Sequence, residues 1–199
     1  MRQEIIKKNY CTFNELSPDR QKKEIENYRD INVNFHDWYD FIFEYFQEML
    51  TILGFKDIKI LYSGFWSQGD GACFEACFEV PENFKQWENR LKSLKDYAPC
   101  DEKLHDAAAR LLSKESLNEL IKEDINRLNL YHRGHYYHEY CMYLDENEDT
   151  FLEAARDIAQ IIYRSLEQNY YDLTSDEQVK ETILANDMEF LISEEIIGE

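Results

Sequence analysis

Between residues 58 and 80 the spacing of apolar side chains drops from the helical repeat to a repeat of two. This switch constrains the fold more than any other feature of the chain. Ile58, Ile60 and Tyr62 alternate with Lys59, Leu61 and Ser63. After Ser67-Gln68-Gly69-Asp70-Gly71, Ala72, Phe74, Ala76, Phe78 and Val80 alternate with Cys73, Glu75, Cys77 and Glu79. Two such runs joined by a glycine-rich turn read as an antiparallel hairpin with one face toward a core, and Pro81 ends it. A second two-fold segment, about 127–144, runs from Leu128-Asn129-Leu130-Tyr131 through Arg133-Gly134 to Tyr143, and reads as a hairpin turning at Gly134.

The rest has helical spacing. Ser17 as N-cap with Pro18 at the first position opens a helix to about Tyr28. Over 35–53, Trp38, Phe41, Tyr45, Met49 and Ile52 share a stripe that Phe43, Phe46 and Leu50 widen, and Gly54 stops the helix. Residues 82–96 align Phe84, Trp87, Leu91 and Leu94. Residues 101–127 read as one or two helices split near Ser113, burying Leu104, Ala108, Leu111, Leu117, Leu120 and Ile121. A long helix over about 149–170 aligns Phe151, Ala155, Ile158, Ile162 and Leu166. Thr174 and Glu177 form a capping box for a further helix over Val179, Ile183 and Leu184. The tail from Asn186 is acidic around Phe190, Leu191, Ile192, Ile196 and Ile197, and reads as a short helix or a frayed end. The expected fold class is α+β. The two hairpins form one antiparallel sheet of about four strands, covered by several helices. They lie in a single domain spanning 1–199, with an acidic helical part from about 145.

With 44% hydrophobic and 15% aromatic residues, the 199-residue chain has material for a sizeable core. Its 41 acidic and 22 basic side chains leave a net charge of −19. The excess lies toward the end: residues 1–100 hold 17 acidic and 13 basic side chains, residues 101–199 hold 24 and 9. Such a charge disfavours direct nucleic-acid binding, which needs a basic surface, and attachment to anionic lipid. It attracts a protein partner with a basic surface, such as a nucleic-acid-binding protein, and speeds encounter with it. No apolar run approaches the roughly 20 residues of a membrane span, and the first ten residues lack the apolar stretch of a signal peptide. Five scattered cysteines argue against a disulfide framework and fit a reducing cytoplasm.

Residues 62–74 hold three of the six glycines. One reading is a binding loop presenting Trp66, Gln68 and Asp70. The other, which turn chemistry alone accounts for, is a hairpin turn with Gly69 and Gly71 at positive φ and Trp66 in the core. It is not a phosphate loop, because the lysine and following helix are missing. His132, His135 and His138, with Glu139 and Cys141, invite a metal site. A tight turn at Gly134 would set His132 opposite His135, but strand alternation points His135 and His138 to opposite sides, so no metal is expected. Cys73 and Cys77 share a face but lie about 13 Å apart. A Cys73 or Cys141 nucleophile with His135 or His138 as base has no local signature, so no catalytic residues and no cofactor are assigned. The acidic candidates for partner binding are Asp145, Glu146, Glu148 and Asp149 before the long helix, and Asp172, Asp176 and Glu177 after it.

Four strings, in this order, carry a resemblance that covers most of the chain: Tyr10-Cys11-Thr12-Phe13-Asn14-Glu15-Leu16-Ser17, Ser63-Gly64-Phe65-Trp66-Ser67-Gln68-Gly69-Asp70-Gly71-Ala72-Cys73-Phe74, Gly134-His135-Tyr136-Tyr137-His138 and Ile162-Tyr163-Arg164-Ser165-Leu166-Glu167-Gln168-Asn169-Tyr170-Tyr171. The second is the specific one. Together they resemble a family of phage and prophage proteins loosely catalogued as the antitoxin of a toxin–antitoxin stability system. The resemblance implies a mobile-element context, in which small acidic proteins inhibit a toxin or a host defence nuclease such as a CRISPR effector. It brings no catalytic residues. The first expectation is therefore a non-enzymatic inhibitor that occludes the nucleic-acid groove of a basic protein in the host cytoplasm. The alternative is a small enzyme or nucleotide-handling domain using the 64–74 loop and the three histidines.

Overall fold

A computed structural model describes residues 5–35, 37–122, 126–132, 142–144 and 149–198. The fold is α+β, and the chain divides into two compact units, a division the sequence reading did not make. One unit is continuous, residues 39–168; the other joins 1–38 to 169–199.

The continuous unit holds the four-stranded antiparallel sheet. Its strands are β2 (Phe55–Tyr62), β3 (Ala72–Glu79), β4 (Arg127–His132) and β5 (Met142–Leu144), in that order across the sheet. Helix α2 (Asp40–Leu53) ends at Gly54, whose φ of 105° glycine adopts without strain. It starts later than the stripe suggested, leaving Trp38 before its first turn. α2 packs on β2 and on α3 (Phe84–Tyr97), and α3 packs on α4 (Glu102–Leu111). α5 (Lys114–Lys122) follows after a break at Leu112-Ser113, where Ser113 Oγ accepts from the Ser116 amide. α6 (Asp149–Leu173) contributes Phe151, Ala155, Ile158, Ile162 and Leu166 to the core, as its spacing requires. Phe78 is the centre of an aromatic knot, 5.0 Å from Phe55 and 4.7 Å from Phe151 between ring centroids.

Two strand expectations change. β3 is buried on both faces, Cys73 and Cys77 included, with only Glu75 and Glu79 less than buried along it. In β2 the alternation breaks where Asp57 takes a φ of 53° and the register with β3 shifts. The second hairpin pairs β4 with β5, but Gly134, where the sequence placed its turn, lies outside the described residues. Leu130 pairs with Leu144 and His132 with Met142, so nine residues, 133–141, separate the paired ends.

The discontinuous unit is built on a two-stranded antiparallel sheet, β1 (Ile5–Thr12) with β6 (Glu189–Gly198). The tail is thus a strand rather than a helix or frayed end. α1 (Pro18–Asn27) begins on Ser17, whose hydroxyl accepts from the Arg20 amide. α7 (Asp176–Ala185) is capped by Ser175, not Thr174. Thr174 instead donates to the Tyr170 carbonyl and closes α6. The small core is Cys11, Phe13, Ile25, Val179, Ile183 and Phe190. Arg29 ties the pieces together, donating to Glu26, to Asp176 and to the Thr174 carbonyl.

Candidate partner-binding surface

The loop between β2 and β3 is organised by one carboxylate. Asp70 accepts from the amides of Trp66 (2.9 Å) and Ser67 (2.6 Å) and from the hydroxyl of Ser63 (3.0 Å). Ser63 closes the base: its amide donates to the Gly71 carbonyl, and its hydroxyl accepts from the Gly71 amide. Within the loop the Asp70 amide donates to the Ser67 carbonyl, and Gly69 at the third position of this turn has a φ of 112°. Gly71 is not at positive φ, so only one of the two glycines is required by the turn. Partial burial acts to raise the Asp70 pKa; the Ser67, Trp66 and Ser63 hydrogen bonds together outweigh it and hold the carboxyl below its ordinary range.

This bracing sends Phe65 and Trp66 in different directions. Phe65 stacks on Tyr62 and tilts against Tyr163, whose hydroxyl donates to the Gly64 carbonyl. Behind it Tyr62 meets Tyr39 and Phe43, and burial pushes the Tyr62 hydroxyl up to about 12. Trp66, by contrast, is 69% exposed. The expectation of Trp66 in the core is therefore overturned: Phe65 fills that role, and the indole stands outside on an aromatic base. Gln68 is also exposed, whereas Asp70 is spent on the loop itself. A large exposed aromatic on a pre-organised support is the type of residue that anchors protein interfaces.

The acidic candidates divide. Asp145, Glu146 and Glu148 lie outside the described residues, and Asp149 is the first residue of α6. Asp172 and Glu177 are exposed. Asp176, though 73% exposed at its side chain, is held by Arg29 at 2.5 Å and is a tie between α1 and α7. Trp66, Gln68 and Asp70 share one loop in the continuous unit, while Asp172, Asp176 and Glu177 share one helix junction in the other.

His132 pairs with Met142 across the sheet; His135, His138, Glu139 and Cys141, and with them the expected His132–His135 opposition, lie outside the described residues. Among the described residues no group of three His, Cys, Asp or Glu side chains is placed to hold a metal. Cys77 is buried beside the Arg127 guanidinium, and no described helix is long and apolar enough to cross a membrane. Sequence reasoning missed Ser63 and Tyr163, which fix the loop. The Ser67-x-x-Asp70 spacing with glycine between was a usable signal for the turn, but nothing local pointed to Tyr163, 99 residues from Gly64.

No curated protein and no solved structure matches the chain. One family model does, over residues 38–176, a span that contains the whole continuous unit and the loop carrying Trp66. The chain belongs to the family described as Domain of unknown function (DUF8835).

Proposed function

We propose that this protein is a non-enzymatic binder that docks on, and inhibits, a partner with a basic, nucleic-acid-binding surface. The observation that carries this reading is the exposed Trp66, held outward by the Asp70-centred loop. An indole face attracts Arg and Lys side chains, and a net charge of −19 draws the same kind of surface from a distance. Asp172 and Glu177 add to the steering field, as do Asp145, Glu146, Glu148 and Asp149 by sequence. The resemblance to phage and prophage proteins supports a toxin or a host defence nuclease as the target, with occlusion of its groove as the mechanism and the host cytoplasm as its place of action.

Affinity capture from a host lysate, with wild type and Trp66→Ala side by side, tests the reading. We expect a basic nucleic-acid-binding protein on the wild type, released by competing DNA or RNA. The variant should bind it about 30-fold or more weakly, the loss of an interface anchor worth ~2 kcal/mol or more. Equal capture by the two proteins, or a partner indifferent to nucleic acid, overturns the proposal.

A further inference from the structure

A second feature of the continuous unit has no part in the Trp66 surface. An open cleft of about 740 Å³ lies where β3, α3 and β4 meet, lined by Arg90, Arg127, Asn89, Asn126 and the carboxylates Glu79 and Glu82. Arg90 sets its chemistry. Its Nη1 donates to two backbone carbonyls, Leu53 (3.1 Å) and Glu79 (2.8 Å), and the guanidinium carbon stands 5.7 Å from the Phe78 ring centroid. It also presses on Gly54, where a Cβ would collide with it. The group is thereby locked in position with one nitrogen consumed. Its Nε and Nη2 have no partner among the described residues and are not sealed from solvent. They form the guanidinium edge whose two parallel N–H vectors match the two oxygens of a carboxylate.

The charges around it are unevenly paired. Glu79 is taken by Lys56 at 2.6 Å, and Arg127 leans toward Asp57. Arg90 has no carboxylate within ion-pair distance, and Glu82 no cation, among the described residues; the Glu82 carboxylate meets only the Gln86 side-chain amide at 3.4 Å. Burial lowers the Arg90 pKa, and the nearby Glu79 charge offsets this in part. In a chain with 41 acidic and 22 basic side chains, a half-buried guanidinium facing a cleft without a counter-ion is an unusual expense. One uncompensated cation and one uncompensated anion in the same cleft suit a ligand that carries both charges.

We propose that this cleft binds a small zwitterion, its carboxylate forked on the Nε–Nη2 edge of Arg90 and its ammonium directed to Glu82. The ligand class includes a free amino acid and a short peptide with both ends charged, and the two are distinguished below. A simple polyanion is disfavoured by Glu82 and by the net charge.

The direct test is the Arg90 Nε–H resonance of the folded wild-type protein in ¹H–¹⁵N spectra, at constant ionic strength. The probes are glycine, triglycine, N-acetylglycine and glycinamide. Glycine or triglycine should shift and saturate the Arg90 signal; the tighter of the two identifies a free amino acid or a peptide as the ligand class. Glycinamide, which lacks the carboxylate, should leave the signal unmoved. N-acetylglycine, which lacks the ammonium, should bind roughly two- to fivefold more weakly than glycine, the scale of an exposed charge pair. Glu82→Gln should abolish that difference without affecting the fold, because Glu82 is exposed. An Arg90 signal that ignores every carboxylate, or that moves equally with glycinamide, overturns the proposal.

Discussion

The two units are held together by different means, and the contrast separates what a buried core can do from what polar ties can do. In residues 39–168 a continuous chain wraps an antiparallel sheet, and the knot of Phe55, Phe74, Phe78 and Phe151 is sealed. In the other unit six side chains make the core, and much of the organisation comes from polar groups. Glu24, buried, takes Arg20 at 2.6 Å and Asn27 at 2.9 Å; Arg29 binds Glu26, Asp176 and a carbonyl; Asn32 reaches Leu173 and Thr182. Most β1–β6 pairs lie beyond that core: Lys8 pairs with Glu194 at 2.9 Å, and Ile6, Tyr10 and Ile192 are exposed. A two-stranded sheet is marginal without such support. The family match covers the first kind of construction and only the edges of the second.

The largest effects are expected from truncating each core at its centre. Phe78→Ala should cost about 3–5 kcal/mol and lower cooperative unfolding of the continuous unit, read by denaturant titration. Phe190→Ala removes a ring that meets Phe13 and Tyr28 at 6.0 and 6.1 Å. Its loss should deprotect the amides of β1, β6 and α7 in hydrogen exchange while those of β3 stay slow. If both variants release all amides together, the units unfold as one and the distinction is only geometric.

Next in size is Gly54→Ala. It forces a side chain onto a φ of 105° and into the Arg90 guanidinium, so about 1–3 kcal/mol should be lost, visible as a fall in melting temperature.

How far these contrasts could be foreseen depended on whether the sequence pattern was regular. β3 and α6 carry unbroken periods and were legible. β6 was not. Its pairing with β1 shifts register twice, leaving Ile192 and Ile197 as extra residues, so its apolar positions fall in clumps and imitate neither strand nor helix. Its partner is also at the other end of the chain. Thr174 reads as the cap because its hydroxyl sits three residues before a glutamate, yet Ser175 has the same chemistry one place on. At the candidate site the turn was legible from its glycine and aspartate. The choice between Phe65 and Trp66 as the ring that packs on the core was not, since both are large aromatics and only the Asp70 bonds and Tyr163 decide between them.

A smaller effect concerns the loop. Asp70 has its carboxyl held below its ordinary value of 3.8, so its stabilisation is complete above that value and is lost as pH falls through the lower folded value. Asp70→Asn should cost about 1 kcal/mol and remove that acid-side dependence, measured as melting temperature between neutral pH and the carboxylate range. The smallest effect on stability is expected from Asp172→Asn with Glu177→Gln, within about 0.5 kcal/mol. Their effect should be on association: a slower rate at low salt that converges with wild type at high salt. Equal rates at low salt would mean that these charges serve solubility alone.

The pairing of Thr12 with Glu189 at one end of the β1–β6 ladder and Ile5 with Gly198 at the other has a temporal consequence. On the ribosome β1 emerges before the continuous unit, and its partner β6 follows only after the intervening chain is made, roughly 10–35 s later at ordinary synthesis rates. The continuous unit lies between them, so its own strands can meet while translation proceeds. For that interval Ile6 and Tyr10 lack their partner strand, and the waiting segment carries the positive charges of Lys7 and Lys8, which in the finished ladder stand opposite Glu195 and Glu194.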